Sequence, residues 1–248
     1  MAGWHNSIAS DLPEAHRAFS SLEQVWALQG KIITTSSLCT VLRVELDGKG
    51  YYVKRYGRAG DGLARCLGKS KARREWENLL RFKSWGLSVA NVVAYGEERV
   101  GWSRKGALIT AEVPGSTDLA ALAAAASPLL RSADWVASVS DQVAHASAVM
   151  HQHQFAHNDW KLRNILVSGP EHSPLIHMID CPAGAFWWGP FFEYRRIKDI
   201  ACLDKIGKKV LSRSQRLRFY FQYVGAKRLT KKDKRDIRKI LKFFDGRE

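Results

Sequence analysis

One stretch of eight residues combines side chains that can act together in phosphoryl transfer. It runs from His157 to Asn164 and has the form H-x-D-x-K-x-x-N, and an apolar run follows it directly. The carboxylate of Asp159 can accept the proton of an attacking hydroxyl group, while the amide oxygen of Asn164 holds a metal ion that bridges the phosphates. Lys161 can neutralise charge on the transferring group. A solvated polar loop is the alternative, but the predicted helix before the motif and the predicted strand after it argue against it.

A second metal ligand is predicted at Asp180. This residue ends the apolar run Leu175–Ile179 and is followed by Cys181 and Pro182. Protein kinases carry a metal-binding aspartate at the end of such a strand, in the sequence D-F-G, so Cys-Pro stands here in place of Phe-Gly. A lone aspartate after a strand is usually a turn residue. Its position shortly after Asn164 favours a shared Mg²⁺ site instead.

A lysine inside an alternating strand is the third element. Lys54 would usually face solvent there. Paired with a glutamate on the next helix, it can instead hold the α- and β-phosphates of ATP. Glu75 and Glu77 are the two possible partners. Glu75 is preferred, because Leu79 and Phe82 then fall four and seven residues further on, at helix-packing positions.

The first half of the chain has the patterns of several strands and one helix. The sequence D-G-K-G at 47–50 is a hairpin turn signal between two alternating runs. Helical spacing predicts a helix that Gly86 ends. The positions with that spacing are Trp76, Leu79, Leu80 and Lys83, with Ala72 and Phe82 on neighbouring turns. The predicted elements are strands at 32–37, 40–46, 51–56, 89–95 and 107–113 and a helix at 70–84.

The second half is mostly helical, and Pro114-Gly115 is the predicted boundary before it. Strands followed by helices predict an α+β fold. Residues 1–113 would form a small β-rich N-lobe that binds nucleotide, and residues 114–248 a helical C-lobe with the catalytic, metal and acceptor sites. The predicted elements are helices at 118–126, at 134–153 and from 212 onward, and short strands at 164–167 and 175–180. The predicted buried stripe of the long helix is Val136, Val139, Val143, Ala146 and Met150.

Four segments together resemble the lipopolysaccharide kinase family of Gram-negative bacteria, the WaaP/InaA and Kdo-kinase group. They are H-N-D-W-K-L-R-N, I-D-C-P, Y-Y-V-K-R-Y and A-R-R-E-W-E-N-L, and the resemblance runs from about Ser36 to Asp204. It implies a two-lobed protein-kinase-like fold and ATP-dependent phosphorylation of a heptose or Kdo sugar of the lipopolysaccharide inner core. It also implies a location at the cytoplasmic face of the inner membrane.

Carried over position by position, the resemblance implies a set of site residues with ATP and Mg²⁺ as cofactors. Asp159 is the catalytic base, and Asn164 and Asp180 are the metal ligands. Lys54 and Glu75 hold the phosphates. Backbone groups of 111–113 bind adenine, which places Glu112 and Val113 at the cofactor, with Thr110 at the back wall of the pocket.

Two departures from the protein-kinase pattern affect these expectations. The nucleotide loop at 34–41 contains no glycine, unlike the glycine-rich loop of protein kinases. Ser36 and Ser37 are the expected phosphate-covering residues there, and the sequence leaves open whether the loop lowers the affinity for ATP. No A-P-E sequence follows Asp180, so a docking segment for peptides is not expected. A small or lipid-linked acceptor is therefore favoured over a protein.

The formal net charge of +15 predicts an acidic partner. Nucleic acid, an anionic membrane face and a phosphate-rich glycan would each suit it, but no helix-turn-helix, zinc-finger or RNP pattern supports nucleic acid. The four cysteines are scattered, which fits a reducing cytoplasm, and no secretory signal or membrane-spanning run is present. The resemblance, together with this charge, implies a lipid-linked lipopolysaccharide-core substrate and peripheral contact with the inner membrane, and the sequence predicts nothing about oligomeric state.

Three further features surround the predicted site. The aromatic segment 186–192, with Arg195 and Arg196 after it, is either core or a platform for the acceptor. Asp199 resembles the kinase aspartate that braces the catalytic loop from a helix. Thr230 opens a capping box before a basic helix with apolar residues on one face, which either binds a membrane surface or packs on the C-lobe. The apolar positions of that helix are Ile237, Ile240, Leu241 and Phe244. A second basic cluster consists of Arg65, Lys69, Lys71, Arg73 and Arg74.

Other functions stay open alongside the sugar kinase. One is a kinase that acts on protein or on a soluble small molecule such as an aminoglycoside. Another is a pseudokinase or scaffold, which the glycine-free loop and the Cys-Pro after Asp180 favour. The intact set of Lys54, Asp159, Asn164 and Asp180 argues against a scaffold, which has no need of all four.

Overall fold

The computed structural model describes residues 3–57, 68–100 and 103–246. The chain forms two compact units. The first contains Met1–Arg81 and Val89–Pro114, and the second contains Phe82–Ser88 and Gly115–Glu248. Residues 82–88, which the sequence analysis placed in the N-lobe, thus cluster with the second unit.

The first unit is built on an antiparallel sheet of six strands. Their order across the sheet is β1-β5-β6-β4-β3-β2. Alternation of buried and exposed side chains along the central strands gives the sheet one apolar face. The strands are β1 (His5–Asn6), β2 (Lys31–Thr35), β3 (Cys39–Leu46), β4 (Lys49–Tyr56), β5 (Val92–Val100) and β6 (Ser103–Ala111).

The predicted hairpin turn joins β3 to β4. Asp47 and Gly48 form a two-residue loop with φ of 51° and 67°, the backbone that a tight hairpin of this type requires. The carboxylate of Asp47 also accepts the N–H groups of Glu14 and Ala15. The turn therefore serves a second purpose, since it caps the first helix of the chain.

Two short helices near the N-terminus supply part of the core of the first unit. They are α1 (Pro13–Ala18) and α2 (Leu22–Ala27), in a region for which the sequence analysis predicted no element. Ala15, Phe19, Leu22 and Val25 of this region are buried with side chains of the sheet. The sheet side chains in this cluster are Leu42, Val44, Tyr51, Val53, Val93, Ala94, Ala107 and Ile109.

Helix α3 (Lys71–Ser84) buries Leu79 and Phe82, the packing positions predicted together with Glu75, but not every apolar residue that has helical spacing. Leu80 is 43% exposed, whereas the polar side chains of Glu75 and Asn78 are buried with Leu79. The helix ends as predicted at Gly86, whose φ is 76° and whose N–H donates to the carbonyl of Lys83. A buried glutamate on a helix needs a partner, so this face already indicates a polar site.

The second unit consists of helices and short strands. Its helices are α4 (Leu119–Ala124), α5 (Ala133–Gln152), α6 (Gly189–Val210), α7 (Arg213–Val224) and α8 (Lys231–Leu241). Its strands are β7 (Thr117–Asp118), β8 (Phe155–Ala156), β9 (Ile165–Ser168), β10 (Leu175–Met178) and β11 (Ala185–Phe186). They form one sheet in the order β10-β9-β7 and a pair of β11 with β8. The predicted stripe of α5 is confirmed, since all five of its residues are buried.

The C-terminal helix α8 packs on the second unit. Its capping box is formed as predicted, because the Thr230 hydroxyl accepts the N–H of Asp233 and the Asp233 carboxylate accepts the N–H of Thr230. Ile240 is buried and Ile237 is partly buried against a cluster of α5, α6 and α7. Leu241, in contrast, is 51% exposed. The apolar side of α8 is therefore largely used within the protein.

Among the described residues, no helix has both the length and the apolar character needed to cross a bilayer.

Candidate active site

The motif His157–Asn164 forms a structured loop of the second unit. It follows α5 and β8 and ends in a 3-10 turn, Leu162–Asn164, that leads into β9. Trp160 fixes the middle of the loop. The ring of Trp160 is fully buried, and its indole N–H donates to Ser147 Oγ of α5 at 2.9 Å. The fixed tryptophan gives the polar residues around it a defined conformation.

Asp199 of α6 holds the backbone of this loop. Its carboxylate accepts the N–H of His157 at 2.7 Å and the N–H of Asn158 at 2.9 Å. Asn158 has φ of 65°, a left-handed conformation that asparagine tolerates, and its side chain donates to the carbonyl of Ala183 at 2.8 Å. The predicted bracing role of Asp199 is confirmed by these hydrogen bonds.

Asp159 carries its charge in contact with cations. Lys161 Nζ is bonded to Oδ1, and Arg163 approaches Oδ2 at 3.4 Å. Burial alone would raise the pKa of this carboxyl group, but the hydrogen bond and the charge of Lys161, with the charge of Arg163, hold the pKa below its usual range. Asp159 is therefore ionised at neutral pH, the state that a proton acceptor needs.

The side chain of Asn164 is buried, and hydrogen bonding fixes the orientation of its amide group. Its Nδ2 donates to the carbonyl of Asp159 at 2.8 Å, and it lies 3.3 Å from Asp159 Oδ2. Within the described part of the chain, no group donates a hydrogen bond to Asn164 Oδ1. An amide fixed in this way offers an oxygen ligand of the type that Mg²⁺ prefers.

Asp180 is linked to Asn164 through its neighbour in the chain. The N–H of Ile179 donates to the carbonyl of Asn164 at 3.0 Å. Asp180 has φ of 59°, a left-handed conformation in which aspartate is enriched. The described residues contain no group of three or more His, Cys, Asp or Glu side chains suited to a metal. A pair of one amide and one carboxylate fits Mg²⁺, which takes few protein ligands and completes its shell with phosphates and water.

In the first unit, Lys54 of β4 pairs with Glu75 of α3. Lys54 Nζ lies 2.6 Å from Glu75 Oε1, and the side chain of Glu75 is 1% exposed. The Tyr56 hydroxyl donates to Oε2 of the same glutamate, a partner that the sequence analysis missed. Glu77, the rival partner, is held instead by two surface cations. The role of the Lys54–Glu75 pair toward phosphate stays a prediction.

The basic cluster predicted before and within α3 is partly neutralised. Lys69 and Arg73 are the two cations that pair with Glu77. Arg65 lies outside the described residues. The pairing reduces the net positive charge that this cluster presents to an acidic surface.

The glycine-free loop between β2 and β3 turns around a serine hydroxyl. Ser36 Oγ accepts the N–H of Leu38 at 3.3 Å and that of Cys39 at 3.1 Å, and it donates to the carbonyl of Cys39. Because no residue of the loop has a positive φ, the turn does not require glycine. Ser36 thus shapes the loop, whereas the exposed Ser37 hydroxyl has no partner among the described residues. Contact of both serines with ATP stays a prediction.

The segment predicted to bind adenine follows directly after β6. Thr110 is buried in that strand, and the N–H of Glu112 donates to the carbonyl of Gly50 at 2.9 Å. Arg43 grips the Glu112 carboxylate with two nitrogens, and its hydrogen bonds and charge lower the pKa of that carboxyl group. No described group accepts the N–H of Val113. Glu112 therefore fixes the segment by its side chain, and Val113 leaves a backbone donor for a ligand.

The two arginines after the aromatic segment have different surroundings. Arg196 is buried and donates to Asp236 at 2.6 Å, to Glu193 at 2.8 Å and to the Tyr223 hydroxyl at 3.2 Å. It therefore does not provide the free guanidinium that an acceptor platform requires. The guanidinium group of Arg195 lies over the indole ring of Trp187, 4.6 Å from the ring centre.

A buried network of polar side chains behind the catalytic loop was missed from the sequence. His151 of α5 contacts Asp199 Oδ2 at 3.5 Å through Nε2 and the Tyr223 hydroxyl at 2.7 Å through Nδ1. Tyr223 in turn meets Arg196, which pairs with Asp236 of α8. Burial raises the pKa of Tyr223 to about 12. Its hydroxyl thus stays protonated at neutral pH and joins α7 and α8 to the loop.

The described elements form a fold of the protein-kinase-like class. A solved structure described as WaaP in complex with acyl carrier protein is similar to this chain, with a TM-score of 0.72 and 24% sequence identity. The similarity covers 91% of this chain and 90% of that chain. It confirms the predicted α+β, protein-kinase-like fold.

The chain belongs to the Lipopolysaccharide kinase (Kdo/WaaP) family, whose model matches residues 23–187. This confirms the family predicted from the four motifs. The lipopolysaccharide core heptose(I) kinase WaaP of Pseudomonas aeruginosa is 36% identical over 104 residues. That match spans 39% of this chain and 39% of the relative's own length.

Proposed function

We propose that this protein transfers the γ-phosphoryl group of ATP to a hydroxyl group of a lipopolysaccharide inner-core sugar. The observation that carries the proposal is the fixed contact between Asp159 and Asn164. The amide of Asn164 is bonded to the backbone of Asp159, so that a proton acceptor and an oxygen ligand are held side by side. Family membership supplies the substrate class.

Six residues have separate tasks in the proposed reaction. Lys54, oriented by Glu75, holds the phosphates of ATP. Asp159 accepts the proton of the sugar hydroxyl, and Lys161 stabilises negative charge on the transferring group. Asn164 and Asp180 hold Mg²⁺. When bound, this ion neutralises charge on the phosphates and aligns them for in-line attack.

A heptose is the favoured acceptor, with Kdo as the alternative. The curated relative is named as a heptose(I) kinase, and the matching family includes both Kdo and WaaP in its description. The net charge of +15 suits a phosphate-rich glycan. We propose that the enzyme meets this lipid-linked glycan as a peripheral protein at the cytoplasmic face of the inner membrane.

Acyl carrier protein is a second proposed partner. The structural relative is described as a complex with it. The second unit of this chain contains an apolar cavity of about 560 Å³, lined by residues that include Leu119, Val136, Val139 and Tyr220. An acyl chain is apolar and would suit such a lining. An acylated carrier protein is then expected to bind more tightly than an unacylated one.

Mass analysis of core oligosaccharide from cells that lack the gene tests the proposed function. The expected result is the loss of one phosphate from one inner-core sugar, restored when the wild-type gene is supplied. Core oligosaccharide with an unchanged phosphate content would contradict the proposed substrate. Purified protein that phosphorylates only a generic protein or an aminoglycoside would do the same.

A further inference from the structure

Four aromatic side chains around the start of α6 are exposed. Phe186 is 39% exposed, Trp188 67%, Phe191 73% and Tyr194 49%. Large apolar side chains so close together on a surface usually mark an interaction site. Phe191 and Tyr194 are three residues apart on one face of the first turns of α6, and Trp188 is the residue directly before this helix.

The aromatic residues next to these four, Trp187 and Phe192, are partly buried. The backbone N–H of Trp187 donates to the carbonyl of Gln154 at 2.9 Å, and Arg195 lies over its ring. The ring of Phe192 meets that of His151 at 6.0 Å between centroids. Trp187 and Phe192 therefore have contacts within the protein, whereas the side chains of Trp188 and Phe191 are largely exposed.

A strongly cationic helix lies beside this aromatic face. Helix α8 with Lys242 carries seven cations, and all of them are exposed. Its two acids, Asp233 and Asp236, are not exposed, because one closes the capping box and the other pairs with Arg196. The seven cations are Lys231, Lys232, Lys234, Arg235, Arg238, Lys239 and Lys242.

Two contacts join α8 and the residues after it to the aromatic face. The ring of Tyr194 lies 5.5 Å from that of Phe243, between centroids. Lys232 Nζ lies 3.4 Å from Glu193 Oε2. Aromatic and cationic side chains are thus arranged side by side on one surface of the second unit.

We propose that this surface docks the protein on an anionic lipid bilayer. Aromatic rings are favoured at the boundary between headgroups and acyl chains, and exposed lysine and arginine side chains are attracted to anionic headgroups. Because the apolar side of α8 is packed within the protein, α8 supplies charge and the start of α6 supplies the inserting side chains. The inference deepens the proposed peripheral membrane contact and rests on it.

Co-sedimentation of the full-length protein with lipid vesicles tests the proposal. Wild-type protein is expected to bind vesicles of phosphatidylcholine with one quarter phosphatidylglycerol, and to bind pure phosphatidylcholine weakly. The double variant W188S/F191S should bind the anionic vesicles at least about tenfold more weakly, because two large apolar side chains no longer enter the bilayer. Leu175→Ser is the matched control, since Leu175 is 55% exposed on β10 of the same unit, and it should bind as wild type does.

A charge variant tests the other half of the surface. K239E/K242E should also bind anionic vesicles at least about tenfold more weakly, since each lysine near the surface is worth about a fivefold change. Its remaining binding should depend less on salt. Equal binding by wild type and W188S/F191S would contradict the role of the aromatic face in membrane binding, but it would not contradict the peripheral membrane contact itself.

Two further outcomes overturn the proposal at different levels. Wild-type protein that binds neither type of vesicle would contradict the peripheral location as well as this surface. The proposed kinase activity is tested separately, by phosphoryl transfer to lipid-free core oligosaccharide. Loss of that transfer in W188S/F191S, with vesicle binding unchanged, would make the aromatic face an acceptor site instead.

Discussion

At the scale of single residues, the charge of Asp159 depends on its neighbours. Burial disfavours the ionised carboxylate, and the bonded ammonium group of Lys161 reverses that effect. Asn164 adds a hydrogen bond from its amide. The same lysine is the side chain proposed to stabilise the transferring phosphoryl group, so the proposal gives this one residue two tasks.

Lys161→Met therefore has two expected effects. The value of kcat should fall by roughly 10²-fold, because one charge-stabilising donor is lost. The pKa of Asp159 should rise, since burial is then opposed only by Arg163 and Asn164, and the acid limb of the kcat/KM profile should move to higher pH. A pH–rate profile measures both effects. Lys209→Met, at an exposed site of α6, is the control, and an acid limb at the same pH in both variants would contradict this role.

The local part of the site could be predicted from sequence, because its residues are close in the chain. Asp159 and Asn164 are five residues apart and touch. The contact of His151 with Tyr223 spans 72 residues, and neither residue stands in a pattern that indicates the other. Ser36 was predicted as a ligand group, but only the structure shows that its hydroxyl is used to form the turn.

At the scale of elements, α3 and α6 each carry buried residues that orient predicted functional groups of one unit. Helix α3 places Glu75 on its buried face and Glu77 on its surface. Helix α6 presents Asp199 to the catalytic loop and Arg196 to α8. Helical spacing predicted α3 and the packing of Leu79 and Phe82, and the contacts of Glu75 with Lys54 and Tyr56 explain why a charged side chain is buried on the same face.

Glu75→Gln and Glu77→Gln form a matched pair two residues apart. The first should raise KM for ATP by about tenfold or more, because the ammonium group of Lys54 loses its charged partner. The second removes only surface ion pairs, worth about 0–1 kcal/mol, and should leave KM for ATP unchanged. Steady-state kinetics with varied ATP separates them. Equal KM values in the two variants would remove the Lys54–Glu75 pair from nucleotide binding.

Tyr223→Phe tests the buried network behind the catalytic loop. The change leaves His151 and Arg196 without the hydroxyl that joins them, so we expect the free energy of unfolding to fall by about 1–3 kcal/mol. The value of kcat should fall several-fold while KM for ATP stays constant, because the loop backbone is held less firmly. Tyr220→Phe, whose hydroxyl reaches Asp233 at 3.5 Å, is the control on the same helix.

The readouts of that experiment separate positioning from stability. Chemical denaturation gives the free energy of unfolding, and kinetics at a temperature far below the midpoint gives kcat. A Tyr223→Phe protein that is destabilised but has the wild-type kcat would show that the network only supports the fold.

At the scale of the whole molecule, family membership and net charge predict a class of substrate and an acidic partner. The sequence patterns predict only some of the helices and strands that form the fold. The motifs predicted the kinase-like fold, since each lies on the element type that it requires. The two N-terminal helices were not predicted, because that region has weak periodicity. The sequence left open whether α8 packs on the C-lobe or binds a membrane surface, because its packing partners are distant in the chain. The basic face of α8 is real, but its apolar side is occupied.

The most direct measurement of the central claim is transfer of labelled γ-phosphate from ATP to dephosphorylated core oligosaccharide, comparing wild type with Asp159→Asn. The account predicts Mg²⁺-dependent transfer by wild type and by the control Asp245→Asn, an exposed carboxylate near the C-terminus. It predicts a fall in kcat of about 10³-fold or more for Asp159→Asn, with unchanged ATP binding and unfolding midpoint. Turnover by Asp159→Asn at the wild-type rate would contradict the account.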